Sequence, residues 1–265
     1  MSDQTEEKSE KKPGKFKVIL FALCVSIICS FLITATAIGL KDRQLDNMAL
    51  DKKINILKAA GLVGSDKPGR ELIESLFDTH IQEVLLDSQG QIISSYVPNA
   101  LAFFFIKKDD MIQGYILPII TQGLWGQIKG YLAFENDGKT VSGFSVFNHS
   151  ETPGLGGEIE SAWFRKNFVG KRIINSENQF VSVGIAKGRV TDLPAEKQDH
   201  YVDGISGATL TGDYLAKGIK ETLVKYDPIS IKFRQRRLNN HSPPDENADR
   251  SIPITHETNP VKAGE

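Results

Sequence analysis

Hydrophobic and polar positions divide the chain into three stretches with different rhythms. From Val18 to Leu40, 23 residues pass without a charge. At about 1.5 Å per residue they make a helix roughly 34 Å long, enough to cross a bilayer core. Beyond it, from 41 to 238, apolar positions recur at short periods. Asp42–Ala60 has helical spacing and can extend the apolar helix outward, and Pro68 can open a second helix carrying Leu72, Ile73, Leu76 and Phe77 at core spacing. Three hairpins follow: Ile81–Leu86 with Gln91–Tyr96, Leu101–Ile106 with Met111–Leu117, and Lys129–Glu135 with Thr140–Phe147 through Asn136-Asp137-Gly138-Lys139. Glu158–Phe168 reads as helix, Phe180–Ala186 as strand and Thr209–Tyr226 as the last helix. From Asn239 to Glu265 no apolar period remains. That tail holds Pro243, Pro244, Pro253 and Pro260, has no aromatic residue and reads as disordered.

Successive hairpins with helices between them predict an α+β fold with a mixed, mostly antiparallel sheet rather than a doubly wound one. The expected organisation is an arm (1–17), a transmembrane helix (18–40), a folded domain (41–238) and a polar tail (239–265). Ala35-Thr36-Ala37 has the small residues of a signal-peptide cleavage site. The apolar run is longer than a signal core and continues past that site to Leu40, so it reads as a retained anchor. Lys8, Lys11, Lys12, Lys15 and Lys17 precede the run, and Lys41 and Arg43 follow it. This bias favours an inside N-terminus and an outside domain.

Composition changes little until it is divided. The 265 residues carry 32 basic and 33 acidic side chains, for a formal net charge of −1. Such a balance argues against a protein that coats nucleic acid. Both cysteines, Cys24 and Cys29, lie in the apolar run, so the domain has no disulfide pair, and no His/Cys cluster has zinc spacing.

Three segments carry chemistry. Asp203-Gly204-Ile205-Ser206-Gly207-Ala208-Thr209 is a small, flexible loop leading into the last helix. It leaves backbone N–H groups at a helix N-terminus, with the hydroxyls of Ser206 and Thr209 beside them, which suits a phosphate. An ordinary capped loop has the same residue types. Glu151-Thr152-Pro153-Gly154-Leu155-Gly156-Gly157 is a glycine loop from a strand into a helix. It is no dinucleotide fingerprint, because Gly154 and Gly156 would require a third glycine where Ile159 stands. Gly123-Leu124-Trp125-Gly126 sets an indole among glycines, either to stack on a flat ligand or to plug the core. Nothing forms a nucleophile–base–acid set. His80, His149 and His200 stand in unrelated contexts, Glu151 and Glu158 make no carboxylate dyad, and the basic run 232–237 reads as a solvated domain end.

Asp203-x-x-Ser206-Gly207-Ala208-Thr209 matches the flavin-acceptor motif D-x-x-(S/T)-G-A-T. With the N-terminal anchor and the E-T-P-G-L-G-G loop in that order, the chain resembles the C subunit of the sodium-translocating NADH:quinone reductase over roughly residues 15–230. The G subunit of the related Rnf complex shares the anchor, a similar loop and the motif. The G-L-W-G segment followed by Tyr131–Phe134 is closer to the quinone-reductase protein. The resemblance implies an FMN joined by its phosphate to Thr209 by a flavin transferase, making the chain a covalent flavoprotein. Asp203, Ser206, Gly207 and Ala208 would complete the acceptor motif, and Trp125, Thr152, Gly154 and Leu155 would contact the flavin. Thr209 would be a tether, with no catalytic residue and no metal in this chain. The implied role is a relay of electrons from NADH toward ubiquinone, coupled to sodium export in the whole complex. NADH oxidation and the partner subunits lie elsewhere in that complex. The implied location is the bacterial inner membrane, with a cytoplasmic N-terminus and a periplasmic domain. The alternative is a membrane-anchored binding or scaffold module without redox chemistry.

Overall fold

In the computed structural model, residues 14–235 are described apart from 65–67, 88–90, 94–96, 98 and 110. The first thirteen residues, the tail 239–265 and the turn at Ser88-Gln89-Gly90 therefore lie outside the described residues. Lys15–Ala59 is one 45-residue helix, α1, long and apolar enough by length and composition to cross a membrane. The chain divides into two compact units between Ala49 and Leu50. In the first unit the apolar side chains of α1 from Phe16 to Leu40 are exposed. In the second, Ile54, Ile56, Leu57 and Ala59 at the end of α1 are buried.

The second unit is α+β. After α2 (Arg70–His80) come β1 (Ile81–Leu86), β2 (Ile92–Ile93), β3 (Leu101–Lys108), β4 (Met111–Gln122), β5 (Gln127–Glu135) and β6 (Val141–Asn148). They form one sheet in the order β2-β1-β3-β4-β5-β6, antiparallel throughout. Both faces of this sheet are covered. Along each strand successive side chains point to opposite faces. Phe104, Ile116, Tyr131 and Ala133 meet the end of α1 and α2 in one cluster. Phe103, Phe105, Tyr115, Leu117, Leu132 and Phe134 meet the later helices in the other. Two-sided burial explains why β3 reads Phe-Phe-Phe instead of alternating.

The later half is α3 (Ala162–Lys166), β7 (Gly184–Ile185), α4 (Ala195–Gln198), β8 (Tyr201–Val202), α5 (Thr209–Lys225) and α6 (Asp227–Arg234). β7 and β8 pair in parallel. Four details differ from the sequence pattern. The stretch expected as a helix over Glu158–Phe168 is a 3-10 turn at Gly156–Glu160 followed by the short α3, which Ser161 caps by accepting the Phe164 N–H. The strand expected over Phe180–Ala186 shrinks to two residues, because Ser182 takes a positive φ of 66°. α5 is followed by α6, whose Ile229 and Phe233 are fully buried and whose Pro228 sits in the first turn. β4 runs on through Pro118 to Gln122. β3 pairs with β4 only as far as Ile116, so the missing proline N–H costs no bond on that side.

One consequence positions the site. The β4–β5 register closes at Gln122↔Gln127, so Gly123-Leu124-Trp125-Gly126 is the hairpin turn at that end of the sheet, with the Gly123 N–H donating to the Gly126 carbonyl at 2.7 Å. β6 ends at the same edge with Lys129↔Asn148 and feeds the 149–157 loop. α5 crosses β4 closely there: a Cβ on Gly218 would clash with the Thr121 side chain.

Candidate functional site

The site is built from the start of α5 upward. Gly207 has φ +74°, a conformation that L side chains rarely adopt, and a Cβ there would meet Leu155 Cδ2 at 2.9 Å. The turn it makes delivers Ala208 to the N-cap and Thr209 to the first helical position. Ala208 has no side-chain oxygen, and no side-chain hydrogen bond caps α5. The first-turn N–H groups thus face outward with the positive end of the helix dipole, the arrangement that receives an anion. Thr209 is exposed. Asp203 holds the loop from behind, its carboxylate accepting the Val190 N–H at 2.6 Å.

The other two segments come to the same place through Glu151. This side chain is only 4 % exposed. Oε1 accepts the Trp125 N–H at 3.1 Å, and Oε2 accepts the Thr211 hydroxyl at 2.5 Å. A buried carboxylate is tolerable when it is hydrogen-bonded in this way. Two glycines make room for it. A Cβ on Gly123 would lie 2.6 Å from Oε1, and one on Gly156 would lie 2.8 Å from Oε2. The Glu151 N–H donates to His149 Nδ1 at 3.2 Å, while His149 Nε2 lies 3.4 Å from a Glu160 carboxylate oxygen.

Between these elements lies a cavity of about 390 Å³. Leu124, Trp125, Thr152, Leu155, Thr209 and Leu210 are among its lining residues, with Gly207, Ala208 and Thr211 at the helix start. Its apolar walls stand in solvent: Leu124 is 41 %, Trp125 68 %, Leu155 43 % and Leu210 56 % exposed. Of the readings left open for Trp125, ligand stacking fits this exposure and the core plug does not.

Six of the residues expected at the site, Trp125, Thr152, Leu155, Gly207, Ala208 and Thr209, line the cavity together. Asp203, Ser206 and Gly154 do not line it. Ser206 is exposed on the loop, Gly154 makes a positive-φ turn at 73°, and Asp203 acts on the backbone as described. Sequence reasoning does not assign five of the lining residues to the site: Leu124, Glu151, Gly156, Leu210 and Thr211. The partners of Glu151 lie 26 and 60 residues away in the chain, so no local spacing could reveal them. Ile159, the position that breaks the dinucleotide fingerprint, is a fully buried core residue. Among the described residues no group of His, Cys, Asp or Glu could hold a metal ion.

The residues present fit FMN. A phosphate ester suits the uncapped start of α5, and a flat ring suits the exposed apolar wall. Comparison with known proteins agrees. The FMN-binding domain family matches residues 123–224, from the hairpin turn through α5. The C subunit of the Na(+)-translocating NADH-quinone reductase of Yersinia pestis is 33 % identical, over 86 % of this chain and 95 % of the relative. That of Vibrio campbellii is 31 % identical, over 81 % and 94 %. The crystal structure of the corresponding protein from Parabacteroides distasonis matches with a TM-score of 0.62 at 27 % identity, covering 72 % of this chain and 96 % of that one. From α1 to α5, the chain belongs to the family of the C subunit of the Na(+)-translocating NADH-quinone reductase.

Proposed function

We propose that this chain carries FMN through a phosphoester to Thr209 and relays electrons within a membrane NADH:quinone reductase. The observation that carries the reading is the placement of the acceptor motif. Its last threonine opens α5, is exposed, and borders a cavity that Leu124, Trp125 and Leu155 also line. The neighbouring threonine of the first turn, Thr211, is buried and its hydroxyl is taken by Glu151, so Thr209 is the better acceptor.

Each residue then has a physical task. The N–H groups of the first turn of α5 offset the charge of the phosphate diester. Leu124, Leu155 and Leu210 give the ring an apolar surface, and the Trp125 indole offers a face for stacking. Half-open walls leave one edge of that surface available to a redox partner. The flavin supplies the one- and two-electron chemistry, and the protein sets its position and potential. Thr209 serves as a tether and takes no part in turnover, and no acid or base of this chain is required.

The location follows from the anchor. With the basic residues concentrated before Val18, the N-terminus stays in the cytoplasm and the folded unit lies in the periplasm of a bacterial inner membrane. There a lost FMN could not be replaced from the cytoplasmic pool, which gives a covalent bond its purpose. A flavin transferase attaches the group, and the other subunits of the complex supply NADH oxidation, the quinone site and the sodium pathway. The test is a denaturing gel of the chain coexpressed with the transferase. The wild-type band fluoresces as flavin and the Thr209→Val band is dark. A fluorescent Thr209→Val band would overturn the attachment site, and a dark wild-type band would favour a scaffold without redox chemistry.

A further inference from the structure

Glu151 is the one buried carboxylate among the described residues that touches two of the elements forming the cavity and belongs to the third. Its oxygens accept from the Trp125 backbone and the Thr211 hydroxyl, and its own N–H is held by His149. The G-L-W-G turn has few other ties at its tip. Leu124 and Trp125 are exposed, and the bond from the Gly123 N–H to the Gly126 carbonyl closes the turn on itself without anchoring it to α5. Thr121, at the end of β4, donates to the Tyr214 carbonyl of α5 at 3.4 Å, and Glu151 joins the tip of the turn at Trp125 to Thr211 in the first turn of α5 through two further hydrogen bonds.

We infer that Glu151 is a positioning residue: a latch that holds the Trp125 turn against the first turn of α5 and so shapes the flavin cavity before any flavin arrives. The inference rests on the proposed FMN attachment for its purpose, but the latch itself is present in the bare chain. A preformed wall removes the ordering cost that would otherwise fall on flavin attachment. The glycines at 123 and 156 support the same reading, since a Cβ at 123 would crowd the carboxylate and one at 156 would crowd both the carboxylate and the Thr211 hydroxyl.

Isosteric variants separate the latch from the charge. A glutamine at 151 can accept from the Trp125 N–H through its carbonyl and donate to the Thr211 oxygen through its amide, so the latch survives without a negative charge. Alanine removes both bonds. The first measurement is hydrogen–deuterium exchange at the Trp125 amide in the full chain made without the transferase. Loss of one such bond should speed local exchange about tenfold in Glu151→Ala, while Glu151→Gln exchanges like wild type. The second measurement is the initial rate of flavin attachment when the transferase is added. It falls about tenfold in Glu151→Ala and recovers in Glu151→Gln.

Unchanged Trp125 exchange in Glu151→Ala would overturn the latch. Faster exchange with an unchanged attachment rate would overturn its positioning role, as would a Glu151→Gln as slow in attachment as Glu151→Ala. Should Glu151→Ala fail to fold, the pair Thr211→Val and Thr211→Ser carries the test: the valine removes one arm and speeds Trp125 exchange, and the serine restores it. Equal exchange in both would overturn the latch. Because Trp125 exchange is read without flavin, failure of the Thr209 attachment would leave this result standing.

Discussion

Deep in the sheet, Tyr115 lies between Phe134, with ring centroids 5.0 Å apart, and Phe233 at 4.4 Å, and its hydroxyl meets Ser230 at 2.6 Å. All three rings are shut away from water. At the far end of the same β4–β5 pair, Leu124, Trp125, Leu155 and Leu210 leave much of their surface in water around an open cavity. The residue types are alike and the physical situations are opposite. In the interior, apolar surface is removed from water by the chain itself and stabilises the fold. At the loop cluster it awaits something else to cover it, because four large apolar side chains around one concavity are more than scattered surface residues.

The difference can be broken from either side. Phe134→Ala should cost about 3–5 kcal/mol of stability by chemical denaturation, since the buried ring leaves a cavity that its neighbours only partly fill. A loss below about 1 kcal/mol would show that the interior is less tightly packed than described. Trp125→Ala should leave stability within about 0.5 kcal/mol, because that side chain is already largely in water, and Leu155→Ala, whose side chain is more than half covered, should cost about 1 kcal/mol. Each should nevertheless change the fluorescence or midpoint potential of the attached flavin. If both readouts stay at wild-type values, these side chains do not line the flavin.

A smaller effect separates the two regions by pH. Burial pushes the phenol pKa of Tyr115, Tyr131 and Tyr226 above the ordinary value of 10.0. The folded state then keeps protons that the unfolded state releases, so these groups begin to cost stability as pH rises past about 10, and they cost nothing below it. The denaturation midpoint should therefore fall above that pH, and replacing Tyr131 by phenylalanine should lessen the fall.

Much of this architecture is legible in the sequence, and the exceptions have physical reasons. The apolar run of α1, the hairpins and the helical start at Thr209 follow from local period and turn chemistry. So does the antiparallel sheet, because most neighbouring strands in the chain pair in space. α6 is hidden because its apolar pair, Ile229 and Phe233, sits at the edge of a basic stretch that resembles a solvated end. The Phe180–Ala186 stretch reads as a longer strand than it forms because nothing in the residue types announces the positive φ at Ser182. At the site, the acceptor motif and both glycine loops are visible in the sequence, but the force that joins them is not. By spacing alone Glu151 is only half of a failed carboxylate pair with Glu158, whose carboxylate instead accepts the Trp163 indole N–H at 3.3 Å. Its real partners are contributed by the fold.

The central claim is that the apolar cavity at the start of α5 exists to hold an FMN joined to Thr209. Intact mass spectrometry of the full chain, coexpressed with a flavin transferase and followed by peptide mapping, tests it most directly. The account predicts a mass above that of the sequence by one FMN less water, carried on the peptide containing Thr209 and absent from Thr209→Val. An unmodified wild-type chain, or an adduct that persists in Thr209→Val, would contradict it.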